Sequence, residues 1–200
     1  MKVFGKYEMD EVQIRDPSLK QVISLQSIAL PHSFGRFRKT RLGKMKVNVV
    51  ERLVNKLLRG GTGAKTSGKI IRTHGQLQGK KLKVMRIVEE SLDMIAEKSK
   101  KNPVQVLVTA LENAAPREDV TRVTYGGVRY QVAVDISAPR RIDLALRNIT
   151  LAAIMRTFNK PKSLAEGLAD EIIHTANNDA QTSYAIKKRD EVERIAKASR

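Results

Sequence analysis

Positive charge is packed into one stretch of this chain. Between Phe34 and Val88 lie sixteen of the 38 Lys and Arg residues and only one of the 21 acids, Glu51. The stretch carries +15 of a formal charge of +17, so the remainder is close to neutral. Self-repulsion of this kind opposes compaction. A polyanion laid against the stretch is the simplest reason to keep it, and RNA or DNA offers one phosphate per nucleotide.

The rest of the composition narrows the partner. Two hundred residues, 41% of them hydrophobic, are enough for one domain with its own core. Without cysteine there is no disulfide, thiol chemistry or Cys-based zinc site, which fits a reducing cytosol. No apolar run approaches the roughly 20 residues that span a bilayer. The N-terminal MKVFGKYEMDEVQ has no apolar h-region, so no secretory signal is expected. An anionic membrane surface is the weaker partner, because the cations are scattered through loops rather than set on one face of a helix. Aromatics are 4%, which favours contact with phosphate, sugar and groove shape over base stacking.

In chain order, residues 1–46 form an N-terminal extension ending in a basic arm, and residues 47–200 a helical RNA-binding domain. Val22, Ile23, Leu25, Ile28 and Leu30 are expected to pack back on the body. Pro31 to Lys46 carries Arg36, Arg38, Lys39, Arg41, Lys44 and Lys46 with no acid, and Phe34 and Phe37 interleave with them. This arm is expected to be mobile alone and ordered on RNA. A helix follows from Asn48 to Arg59, with Asn48 as cap and Glu51 closing a capping-box-like pair. Thr62 to Gly79, rich in Gly, Ser, Thr and Lys, reads as a long loop or irregular insertion.

Helices are predicted over Lys81–Lys98, from Asn102-Pro103 to Pro116, and over Ile142–Phe158, Leu164–Ala176 and Gln181–Ala198. Ile142–Phe158 is apolar nearly all round and should be central. Ser163 with Glu166 forms a capping box. In the last helix Tyr184, Val192 and Ile195 are expected inward. Residues 121–136 form a β-hairpin about Gly126-Gly127. In that register Val123, Tyr125, Val128 and Tyr130 share one face, and Arg122, Thr124, Arg129 and Gln131 the other. One face must rest on helices or a partner, because a lone hairpin is marginal in water. The fold expected is mainly α: a single helical domain of about six helices, one protruding β-hairpin ribbon and a basic N-terminal extension.

Candidate sites are few. Gly63 to Lys69, GAKTSGK, matches the core of a phosphate loop, but Ile70 stands where that loop needs Ser or Thr. A helix also precedes it in place of a strand. Nucleotide hydrolysis is not expected; Lys65, Lys69 and Arg72 remain candidate RNA-phosphate contacts. His32, His74 and His174 are dispersed, so no metal site, cofactor or catalytic group is expected. Arg140 and Arg141 sit at a helix start, where positive charge opposes the dipole and a nearby anion would account for them. Arg147 follows two turns on.

These residues also resemble a family. Gly79-Lys80-Lys81, then Ile87-Val88 and Ser91, is similar to the signature of small-subunit ribosomal protein seven, protein five of eukaryotes. ALENAAP at Ala110 to Pro116, GGVRYQVAVDI at Gly126 to Ile136 and PRRIDLALR at Pro139 to Arg147 resemble successive parts of it. So do KSLAEGLADEI at Lys162 to Ile172 and AIKKRDEVERIA at Ala185 to Ala196. The long N-terminal region and the insert around Thr62 to Gln78 resemble the archaeal and eukaryotic branch. The resemblance implies a structural, non-enzymatic protein of the cytoplasmic ribosome. It would bind the 3′ major domain of small-subunit ribosomal RNA, nucleate head assembly and meet neighbouring head and platform proteins.

By the same resemblance Lys80, Lys81 and Lys83 contact RNA at the start of the second helix, and Lys187, Lys188 and Arg189 at the terminal one. Arg122, Tyr125, Gly126, Gly127 and Arg129 place the ribbon near exit-site tRNA and outgoing mRNA. The alternative on residues alone is a basic helical DNA-binding protein whose ribbon enters a groove.

Overall fold

Short polar side chains set where the helices begin. Asn48 Oδ1 accepts from Val50 N at 2.8 Å, Asn102 Oδ1 from Val104 N at 3.0 Å, and Ser163 Oγ from Glu166 N at 3.1 Å. Each satisfies an amide that the first turn leaves without a partner. The computed structural model describes residues 2–37, 39–66 and 69–200, with the backbone alone at 62–66, 69, 70 and 72. It contains α1 (Pro17–Lys20), a 3-10 turn (Gly43–Lys46), α2 (Val49–Leu57), β1 (Thr62–Thr66), β2 (Lys69–Arg72), α3 (Lys81–Ser99) and α4 (Pro103–Ala114). A hairpin of β3 (Glu118–Tyr125) and β4 (Val128–Asp135) follows, then α5 (Ala138–Thr157), α6 (Leu164–Ala176) and α7 (Tyr184–Ala198). The protein is thus mainly helical with a protruding antiparallel ribbon, as its periodicities predict.

α5 is the hub, packing against α1, α2, α4, α6 and α7. Ile142, Leu146 and Ile149 are fully enclosed, whereas Leu144, Leu151 and Met155 stay half-exposed. α6 packs against α3, α4 and α5. Its Gly167 permits close approach to α5: a Cβ there would stand 2.4 Å from Thr157 Cγ2 and 3.1 Å from Ala153 O. Glu171, fully buried on α6, joins three elements. Its Oε2 accepts from Arg156 Nε at 2.7 Å, and its Oε1 from Ser183 Oγ at 2.8 Å and Ala185 N at 3.1 Å. A buried carboxylate is tolerable only when satisfied in this way.

The N-terminal lead-in belongs to the same core. Val3, Met9, Val12, Leu19, Val22 and Ile23 are buried in it, Leu25 and Ile28 are half-buried, and Leu30 is exposed. Tyr7 and Lys6 bond Asp93 of α3. Glu112 of α4 accepts from the amides of Arg15 at 2.6 Å and Asp16 at 3.1 Å.

Several expectations are corrected. Thr62 to Gly79 is not a structureless loop, because β1 and β2 pair antiparallel with Lys65 opposite Ile70 and an irregularity between Thr62 and Lys65. Ladder hydrogen bonds are made by backbone, so polar residues of poor strand propensity can still form it. Ile71 and Leu77, both buried, anchor the insert. Glu51 does not close the cap of α2; its carboxylate turns to Ser33 and Lys81. The fifth helix starts at Ala138, so Arg140 and Arg141 lie in its first turn. α7 starts at Tyr184 on the Ser183 cap, and it buries Ala185, Ile186 and Ala196 while Ile195 is exposed.

Candidate nucleic-acid interface

A cation can serve RNA only if the fold has not already engaged it. Arg141 is 6% exposed, and each nitrogen of its guanidinium is engaged from within. Nε donates to Pro116 O at 3.2 Å, Nη2 to Asp16 Oδ2 at 2.9 Å, and Nη1 to Ser18 Oγ. Burial pushes the Asp16 carboxyl up, but Ser18 and Arg141 outweigh it and hold its pKa below the ordinary carboxylate value. The anion sought for this helix start is therefore Asp16 of the same chain. As an RNA contact Arg141 is corrected: it is a tie between the α1 turn, the end of α4 and α5. Arg140, beside it, is 64% exposed in its side chain, with Asp119 at 3.6 Å.

Other basic residues divide in the same way. Lys81 pairs with buried Glu51 at 2.8 Å. Burial raises the Glu51 pKa, but the bonds from Lys81 and Ser33 more than reverse this, so the carboxyl stays ionised. Arg189 donates to Asn113 O at 2.5 Å and to Asn178 Oδ1 at 3.1 Å, so it ties α7 to α4. Lys44 pairs with Asp143 at 2.6 Å from an exposed position, and Lys188 with Glu191 at 2.7 Å from a half-buried one. Arg36, Lys39, Arg41, Lys46, Lys80, Lys83, Arg147 and Lys187 stand exposed. Arg38 and the side chains of Lys65, Lys69 and Arg72 lie outside the described residues.

The basic arm lies on the helices through two carboxylates. Ser33 Oγ bonds Glu51 at 3.1 Å, and Lys44 reaches Asp143 of α5. Between them Phe34 is 71% exposed and lies 4.2 Å from the His32 ring, centre to centre. An exposed aromatic among cations is a platform on which a base can stack. Sequence reading passed over Lys56 and Arg59. Arg52 and Lys56 stand one turn apart on α2 and Arg59 follows just past its end, a spacing visible in the sequence itself.

The ribbon has the expected register: Tyr125 faces Val128, Val123 faces Tyr130, Thr124 faces Arg129 and Arg122 faces Gln131. Gly126 and Gly127 have φ of +57° and +81°, the left-handed pair that this tight turn requires. Among the described residues none covers either face of its outer half, and Tyr125 is 80% exposed. α7 packs instead against the base of β3. Of Gly63 to Lys69, the described residues belong to β1 and to the start of β2, so a strand follows the motif where a phosphate loop has a helix. Among the described residues no group of three His, Asp or Glu could hold a metal, and no helix is long and apolar enough to cross a membrane.

The geometry is therefore a helical body with a basic arm, a basic helix start and an uncovered ribbon. A comparison with protein-family models gives the independent finding: residues 19–200 match the family described as Ribosomal protein S7p/S5e. That span takes in every helix from Leu19 onward, the insert and the ribbon. The chain thus belongs to the ribosomal protein S7p/S5e family, structural rather than enzymatic proteins of the small ribosomal subunit that bind its RNA.

Proposed function

We propose that this protein binds the 3′ major domain of small-subunit ribosomal RNA and nucleates assembly of the head. Its ribbon lies beside exit-site tRNA and the path of outgoing mRNA, and neighbouring head and platform proteins complete its surroundings. It works in cytoplasmic ribosomes of the archaeal or eukaryotic branch, whose longer N-terminal region and β1–β2 insert it resembles. The mechanism is charge neutralisation combined with shape. Exposed cations release counterions from phosphates, while the helical core fixes where those cations stand.

One observation carries this reading. The fold engages Arg141, Arg189 and Lys81 internally, yet leaves Arg36, Lys39, Arg41, Lys46, Lys80, Lys83, Arg140, Arg147 and Lys187 at the surface. These nine are the proposed phosphate contacts, with Arg38, Lys65, Lys69 and Arg72 beside them and Lys44 and Lys188 able to exchange partners. Arg122, Tyr125, Gly126, Gly127 and Arg129 are the proposed tip facing tRNA and mRNA. Hydroxyl-radical footprinting on small-subunit RNA tests the assignment. Protection concentrated in the 3′ major domain is expected; protection confined to another domain, or equal affinity for duplex DNA, would overturn it.

A further inference from the structure

A cavity of about 180 Å³ opens between α2, the 3-10 turn and α5, lined among others by Lys44, Arg52, Lys56, Arg59 and Asp143. Arg147, one turn beyond Asp143 on α5, adds its field to Lys56. Five cations thus surround one acid, and that acid is already engaged by Lys44 at 2.6 Å and by Arg52 at 3.2 Å. Lys56 lies in the last turn of α2 and Arg59 just beyond its cap, where the helix dipole supplies roughly half a negative charge. A local excess of about three and a half charges remains after that half is subtracted.

The fold bears a cost to keep this arrangement. Arg52 is 4% exposed, donates to Val22 O at 3.1 Å, and has an Nε buried without a hydrogen-bond partner. Lys56 is half-buried, and burial followed by the fields of Lys44, Arg147 and Arg59 lowers its pKa against the pull of Asp143. Lys44, Arg59 and Arg147 reach water, but Arg52 and Lys56 keep their charge in the cavity wall, where burial penalises it. A single carboxylate would neutralise less than a third of the excess, whereas a phosphate brings several acceptor oxygens for donors arriving from three directions.

We propose that this cavity is a phosphate socket, with Lys56 and Arg59 as its contacting donors and Arg52 as the fixed charge at its floor. The phosphate is a backbone diester of bound RNA or a free phosphate group. The backbone source rests on the RNA-binding reading above; the socket itself does not.

The test uses the full chain and two probes, inorganic phosphate and a 3′ major domain RNA fragment. Thermal unfolding is followed in phosphate against chloride at matched ionic strength. At ten times the dissociation constant, phosphate should raise Tm by roughly 3–6 °C. Lys56→Met keeps the apolar stem and removes the half-buried charge. It should raise Tm in chloride and abolish the phosphate increment, a combination that a merely structural lysine would not give. Lys101→Gln, on the exposed surface outside the cavity, should leave the increment intact. With RNA, Lys56→Met should flatten the salt slope by about one unit if the source is the backbone, and leave it unchanged if the source is free phosphate. No phosphate-specific increment, or an equal one in Lys56→Met, overturns the socket. A Lys56-dependent phosphate increment in a chain that ignores the RNA upholds the socket and overturns the RNA reading instead.

Discussion

Adjacent arginines at the start of α5 should fail in opposite assays. Arg141→Ala removes three donors from a buried site and strands Asp16 Oδ2 and Pro116 O. Breaking a fully buried pair costs about 3–5 kcal/mol. The Asp16 side chain is 20% exposed, so water recovers part of that loss. A destabilisation of about 2–4 kcal/mol remains, worth roughly 5–10 °C in Tm for a chain of this size. Arg140→Ala removes an exposed side chain 3.6 Å from its nearest carboxylate. Exposed pairs of that kind are worth about 0–1 kcal/mol, so stability should hardly move. Its effect should fall on RNA, flattening the salt slope by about one unit.

The pH dependence follows from Asp16. Its folded-state pKa is lowered, so the stability from its pairing is fully present above the unfolded value and is lost as pH falls through the folded one. The gap between wild type and Arg141→Ala should therefore be widest near neutrality and narrow below about pH 4. Urea unfolding across pH, paired with RNA titrations at a temperature where both variants are folded, measures all of this. If Arg141→Ala unfolds like wild type yet flattens the salt slope, the inward assignment of its charge is wrong.

Three other substitutions probe separate links. Lys81→Ala should leave Glu51 buried and uncompensated, costing about 2–4 kcal/mol at pH 7 and less at pH 4, where the carboxyl can protonate; an equal loss at both values would argue against the pair. Glu171→Ala should cost about 3–5 kcal/mol by stranding Arg156 and the start of α7, read by chemical denaturation; a change below about 1 kcal/mol would contradict its role as the joint of α5, α6 and α7. Phe34→Ala should leave stability unchanged and weaken RNA affinity by about 1–3 kcal/mol if a base stacks there; filter binding at fixed salt decides it.

Helices were legible because their signals are local. Asn48, Asn102-Pro103 and Ser163 mark their starts through bonds formed within three residues. The ribbon was legible for the same reason, since Gly126-Gly127 fixes its register. What escaped reading depends on distant partners. Glu51 fits a capping box by spacing, and only the arrival of Lys81, thirty residues on, shows where its carboxylate goes. Arg140 and Arg141 are indistinguishable as letters, yet one meets Asp16 and the other faces solvent. The β1–β2 insert escaped because polar side chains hide a ladder that backbone makes. Charge density marks a candidate interface only as a region; burial sorts its cations into those the fold engages and those it leaves at the surface.

The most direct measurement is the salt dependence of binding to a 3′ major domain RNA fragment, run beside duplex DNA of equal length. With nine exposed cations meeting phosphates, log K against log salt should fall with a slope of about −6 to −8. The RNA should be preferred at every salt concentration. A slope shallower than about −3, or indifference between the two polymers, would contradict the claim that these cations are held at the surface to grip a folded RNA.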